Sequence, residues 1–189
     1  LVHDGMERIE IAMRTQVTEC LLLNSPSDPL VYLDATKFRP TFDHLSWIAT
    51  AYNRLNRARR GSETVKHHSK EYGGKYPLWV VAEVMDFSDI SKLYEGLPSA
   101  KQRLVAEELG IKIDLSQLTS NQIHKLNKKH PLVNWMEQLT IVRNTCAHHG
   151  RLWNRSFSPA PTPALLTSEK FKNLPHEQSE RIFGADRKS

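Results

Sequence analysis

The apolar residues of this chain recur every three or four positions between clear stop signals, and that spacing restricts it to helices. Val2, Met6, Ile9, Met13, Val17 and Cys20 fall on one stripe of a helix running toward Leu23. Asn24-Ser25-Pro26-Ser27-Asp28-Pro29 then breaks it, with two prolines and capping-type residues in six positions. Phe42, Leu45, Trp47, Ile48, Ala51, Tyr52 and Leu55 outline a second helix that runs to the basic end Arg57-Ala58-Arg59-Arg60 and stops at Gly61. Ser62 caps a short helix closed by Gly73-Gly74. Pro77 opens the nearly all-apolar segment Leu78 to Met85, which fits a buried helix or a buried strand; Glu83 and the helical surroundings favour the helix. Ser88 caps a helix through Tyr94, Pro98 and Ser99 start another that ends at Gly110, and Thr119 or Ser120 begins one leading to Lys128-Lys129. Pro131 opens the last long helix. Strand-turn-strand spacing and internal repeats are absent from the pattern, so the expected class is an all-α helical bundle.

The two ends of the chain read differently from its middle. The first helix begins without a cap or an initiator Met, which predicts a bundle truncated at its N-terminus and an exposed stripe along Val2, Met6 and Ile9. After Arg155 the run Ser156-Phe157-Ser158-Pro159-Ala160-Pro161-Thr162-Pro163 reads as an extended linker. The expected division is therefore a helical domain over 1–155 and a Pro-rich arm over 156–189, with a short helix over Ser168 to Leu174. Glu180-Arg181-Ile182-Phe183 starts like a helix but has too little sequence beyond it to bury anything.

Composition narrows the function only loosely. The chain has 189 residues, and 26 Lys and Arg against 21 Asp and Glu give a net charge of +5, an excess that permits a polyanionic partner without demanding one. No apolar run approaches a membrane span, and Leu1 to Met6 lacks a signal-peptide layout, so a cytoplasmic protein without a membrane partner is expected. Cys20 and Cys146 form no C-x-x-C pair and are read as reduced, small apolar residues; neither a structural zinc site nor any cofactor is expected.

The last helix holds the chemistry. With Leu132 at the centre of its face, Trp135, Met136, Leu139, Arg143 and Cys146 all lie within about 60° at 100° per residue. Arg143 therefore sits in an apolar stripe, where a guanidinium is costly unless it is paired or faces a cleft; the bland explanation is a packed stem with a solvated head. The string that follows is Arg143-Asn144-Thr145-Cys146-Ala147-His148-His149-Gly150-Arg151-Leu152-Trp153-Asn154-Arg155. It resembles the signature of the abortive-infection (Abi) family of the HEPN (higher eukaryotes and prokaryotes nucleotide-binding) ribonuclease superfamily: R-N-x-x-x-H-H followed by R-L-W-N-R, within the wider R-x4-6-H motif. Met6 to Gln16 is similar to the family's first well-marked helix, and Tyr76-Pro77-Leu78-Trp79 followed by Leu93-Tyr94 resembles its middle. The stretch from Thr119 to Pro131 departs from the pattern in being longer and more polar.

The resemblance implies a HEPN-like bundle that cleaves RNA without a metal. The 2′-hydroxyl attacks the adjacent phosphorus, His148 takes part in proton transfer, and Arg143 offers a fork of donors to the non-bridging oxygens. Asn144 orients the histidine or the phosphate, and His149, Arg151, Arg155 and Arg14 are supporting or RNA-binding candidates. Arg143 and His148 lie five residues apart, so on an ideal helix they diverge by about 140°. Either the helix breaks between Ala147 and Gly150, or the site is composed across a homodimer; the resemblance implies the homodimer. The expected partners are RNA, a second copy, and an antitoxin or a guide or structured RNA, with no DNA. The alternative is a non-catalytic HEPN-like RNA- or nucleotide-binding module that acts through oligomerisation. A membrane protease sharing the Abi label is excluded by the lack of spans.

Neighbouring residues have plainer readings. Cys146 with His148, two apart on a helix, makes a poor thiol-base pair, and adjacent histidines such as His67-His68 or His148-His149 make poor metal ligands. Glu10 and Arg14 read as an i,i+4 ion pair. Arg54, Arg57, Arg59 and Arg60, like Lys125, Lys128 and Lys129, suit either a solvated helix end or an RNA backbone.

Overall fold

The computed structural model describes residues 2–23, 27–148, 150, 152 and 163–172. Among them are eight α-helices and no strand: α1 Val2–Leu23, α2 His44–Ala58, α3 Glu63–Glu71, α4 Leu78–Val84, α5 Phe87–Gly96, α6 Ser99–Glu108, α7 Ser120–Lys128 and α8 Leu132–Ala147. The ambiguous segment after Pro77 is a helix, with Leu78, Val80 and Val81 fully buried. Helix starts follow the capping chemistry. The Asp43 carboxylate accepts from the Ser46 N–H, the Ser62 hydroxyl accepts from Val65, and Thr119 and Gln122 exchange bonds in a capping box. At α5 the cap is Asp86 rather than Ser88, because Asp89 reaches back to the Asp86 N–H at 3.1 Å and the earlier start buries Phe87.

Helix α1 runs through the middle, packed on α4, α5, α6 and α8, while α5 also packs on α2 and α8. Met13, Val17 and Leu21 are inaccessible along the α1 stripe, each contributing about 1.5–3 kcal/mol by leaving water. The expected exposed stripe fails at Met6, which is buried, and Ile9 is packed against the core; the Val2 side chain lies outside the described residues. Of the basic end of α2, Arg54 is a structural link rather than an open phosphate contact. Its Nε donates to Asp89 at 2.9 Å and its head also pairs with Asp86, tying α2 to α5. Arg57, Arg59 and Arg60 are exposed.

A buried polar knot sets where α8 begins. His130 is 1% exposed; its N–H donates to Gln102 Oε1 at 3.0 Å and its Nδ1 accepts from the Leu132 N–H at 3.2 Å. Gln102 in turn donates to the Glu95 carbonyl, and Tyr94 donates to the Gln102 carbonyl, so α5, α6 and the entry to α8 share one network. Burial, with Arg103 nearby, lowers the His130 pKa to about 4, which keeps the ring neutral and able to accept.

The described part of the C-terminal arm returns to this core. In place of the expected helix from Ser168, it forms single 3-10 turns at Leu165–Thr167 and Glu169–Phe171. Leu165 and Ser168 are each 2% exposed, and the Thr167 hydroxyl accepts from the Asp114 N–H at 3.0 Å. Leu165 and Phe171 line an apolar groove of about 450 Å3 with Ile9, Ala12, Trp135 and Leu139.

Candidate functional site

Two charged residues of opposite sign interrupt the apolar stripes of two packed helices. On α1, Glu10 stands between Met6 and Met13; on α8, Arg143 follows Met136 and Leu139. The fold brings them together: Arg143 Nε lies 3.3 Å from Glu10 Oε2, with side-chain exposures of 33% and 16%. Arg14 Nη2 reaches Glu10 Oε1 at 2.8 Å and also donates to the Met85 carbonyl at 2.9 Å. Glu10 thus bridges two guanidinium groups. The cluster borders a surface cleft of about 350 Å3 that is also lined by Met6, Ile11, Cys146 and Ala147.

The last turn of α8 decides where His148 goes. The helix ends at Ala147, and His148 is its C-cap at φ −96° and ψ 20°, with its N–H donating to the Asn144 carbonyl at 3.1 Å. The Gly150 N–H returns to the Thr145 carbonyl at 2.7 Å, a six-to-one bond that closes the end of the helix. A Cβ at Gly150 would lie 2.8 Å from Thr145 Cγ2 and 2.9 Å from its carbonyl oxygen, so this close return requires glycine. His148 is exposed at the tip. The helix therefore terminates within the interval where the sequence allowed a break, but His148 does not line the Arg143 cleft within this chain.

Of the other sequence candidates, Asn144 is exposed, with Oδ1 accepting from Arg143 Nη1 at 3.5 Å. Arg14 is at the cleft but is committed to Glu10 and to the end of α4. His149, Arg151 and Arg155 lie outside the described residues. Glu10 is the residue that sequence reasoning undervalued by assigning it only to Arg14. Its signal was present: it occupies an apolar stripe, as Arg143 does, and each charge is the natural partner of the other. Cys20 is buried, with its thiol pKa raised by burial, and Cys146 is a half-buried wall of the cleft. Among the described residues no group of three His, Cys, Asp or Glu is placed to hold a metal ion, and no helix is long and apolar enough to cross a membrane.

The profile of the Abi-like protein family matches residues 1–154. The chain belongs to the Abi-like protein family. Neither curated proteins nor solved structures gave a match. The family span takes in both halves of the Glu10–Arg143 pair and the whole string from Arg143 through Asn154. It stops before the docked arm segment at 163–172. Membership in the Abi-like family suggests a part in abortive infection, the response by which an infected bacterium limits phage.

Proposed function

We propose that this Abi-like protein is a metal-independent endoribonuclease of the HEPN type, acting in phage defence as a homodimer. The observation that carries the reading is the arrangement at the end of α8. Arg143 is held at a cleft by a single shared carboxylate, while His148 stands exposed five residues on, past the last helical turn. A guanidinium and an imidazole are the two groups that cleavage by an internal 2′-hydroxyl needs. One histidine accepts the 2′-hydroxyl proton as the 2′-oxygen bonds to phosphorus, and a second protonates the departing 5′-oxygen as its bond to phosphorus breaks. Arg143 offsets charge on the phosphorane. The products are a 2′,3′-cyclic phosphate and a 5′-hydroxyl.

The reaction uses a proton acceptor and a proton donor, and His148 lies off the Arg143 cleft of its own chain. Two copies facing each other across a two-fold axis supply both, with Arg143 of one protomer serving the phosphate beside His148 of its partner. Asn144, His149, Arg151 and Arg155 follow or flank the pair in sequence and are the proposed contacts to the rest of the RNA, with Arg14 fixing Glu10 at the cleft. Incubation of the purified protein with cellular RNA in EDTA, followed by sequencing of the new ends, tests the reaction. Cyclic or 3′-phosphate ends are expected, and dependence on added magnesium rules the mechanism out. Specific activity should fall on dilution below the dimer dissociation constant; undiminished activity from a demonstrated monomer removes the composite site.

A second reading draws on the Glu10 bridge itself. A guanidinium already satisfied by a carboxylate suits a binding module, one that holds RNA or a nucleotide without cleaving it and signals by oligomerising. RNA binding that survives with no cleavage under any condition selects it.

A further inference from the structure

The far end of α8 carries a second basic feature that the cleavage chemistry does not use. A groove of about 440 Å3 runs between α7, the start of α8 and the arm, lined by Lys125, Lys128, Lys129, Gln122, Asn134 and Pro163 among others. No acidic residue occurs between Asp114 and Glu137, although that stretch holds three lysines and His124. Lys129 is paired with Glu95 at 2.7 Å, whereas Lys125 and Lys128 are exposed. Two more cations buttress α7 from outside: Arg103 donates to Asn127 at 2.9 Å, and Arg39 donates to the Lys128 carbonyl. The local charge is therefore positive with one acid against it. The amides of Gln122 and Asn134 add donors suited to phosphate and ribose oxygens, beside the apolar wall of Pro131, Pro163 and Ala164.

We infer that this groove is an anchoring site for the phosphodiester backbone of RNA, engaged at a distance from the scissile bond. The inference rests on the ribonuclease reading and gives it a second contact. Asn134 in the groove and His148 at the tip are fourteen residues apart, two heptads, which leaves them within about 40° around the α8 axis. Ile141, midway, is exposed, and so are Glu137 and Asn144 on one side of it, whereas Thr145 on the other side is buried; Glu137 is the nearest acid on the helix. Fourteen residues rise about 21 Å, a length spanned by about six nucleotides of a stacked strand. A strand cut at His148 therefore reaches the lysines only if it extends at least that far to one side. Backbone recognition by lysines is indifferent to sequence, so the groove would add affinity and direction without choosing the cleavage site.

Fluorescence anisotropy of the full chain carrying His148→Ala, which keeps the RNA intact, tests the proposal with labelled single-stranded RNAs of about twenty and about five nucleotides. Adding Lys125→Ala and Lys128→Ala should weaken binding of the long RNA several-fold and lower the salt slope of log K by about 1.4, two phosphate contacts' worth. The short RNA should bind the two proteins alike. Lys66→Ala with Lys70→Ala on α3 removes the same net charge elsewhere and should leave the salt slope in place. Equal slopes for the groove and α3 variants overturn the groove while leaving the ribonuclease reading intact. Retained RNA affinity together with lost binding of polyglutamate reassigns it to an acidic protein. Failure of the parent protein to bind either RNA overturns both readings together.

Discussion

The two ends of α8 are built for different tasks. On the side that faces the core its first turns are apolar and closed: Leu132, Val133 and Met136 are buried, and the helix is entered through a neutral histidine with every described polar partner inside the protein. Its last turns are polar and open. Arg143 is half-buried at a cleft, Asn144 and His148 are exposed, and a glycine return closes the backbone. One end supplies the packing that fixes the helix, and the other projects groups whose positions depend on that packing. A reactive cation on an isolated helix end would fray with the last turn; here it is held through Glu10 to α1, the helix that packs on α4, α5, α6 and α8.

The sharpest separation should come from one substitution at each end. Met136→Ala deletes a side chain that is 2% exposed and should cost about 2–5 kcal/mol in denaturant unfolding, with the cleavage rate per folded molecule little changed. His148→Ala should do the reverse: RNA cleavage falls by about 10²- to 10⁴-fold while the unfolding midpoint stays within error. If His148→Ala unfolds the protein, or Met136→Ala abolishes activity in molecules that remain folded, the division of labour along α8 is wrong.

The closed end also carries a pH signature. His130 has a folded pKa of about 4, below the ordinary value near 6.5, so its contribution to stability is fully present above pH 6.5. As pH falls from 6.5 toward 4, the unfolded chain gains a proton that the folded chain resists, and up to roughly 3 kcal/mol is lost. Denaturation midpoints across that window, compared with those of His130→Gln, should show a steeper decline for the parent. Parallel profiles would mean that the ring is reached by water and is not the buried acceptor described.

These features were legible to different degrees. Helix positions followed from apolar spacing and, at Ser62 and Thr119, from caps, since such residues act locally and write their effect into their neighbours. Arg143 was visible as a cation in an apolar stripe. The bridge to Glu10 was not, because it joins positions 133 apart and depends on how α1 and α8 cross. The same holds for Arg54, whose acidic partners at 86 and 89 convert an apparent phosphate contact into a strut. The His130 knot was hidden for a further reason: its histidine follows two lysines in a polar run, and only Gln102 and Tyr94 from other helices make that place interior.

At the open end, Gly150→Ala should give an intermediate effect. The added methyl would meet the Thr145 carbonyl oxygen and methyl group at less than 3 Å, so the return bond must lengthen or the turn must swing out. Loss of one such bond costs about 1 kcal/mol, and cleavage should fall further than stability because His148 lies inside the rearranged turn. Thermal melting and single-turnover rates measured on the same sample check this; unchanged rates would show that the closure is not what presents the histidine.

The smallest effect tests the bridge. Glu10 occupies Arg143 Nε at 3.3 Å and Arg14 Nη2 at 2.8 Å, and an incoming phosphate seeks the same donors as the carboxylate. Glu10→Gln keeps the shape of the side chain and removes the competing charge, leaving Arg143 positive beside the cleft. The pair is partly solvated, so the exchange is worth less than about 1 kcal/mol, or a few-fold in affinity. RNA should therefore bind two- to five-fold tighter, on the order set by that energy, at low salt and indistinguishably at high salt, where surface charge is screened. Arg14 should not replace Arg143 in this, since its Nη2 remains bonded to the Met85 carbonyl. Weaker binding in Glu10→Gln would give the carboxylate the opposite role, as the group that aims Arg143 at the phosphate. The open end of α8 would then be as dependent on internal bonds as the closed end is.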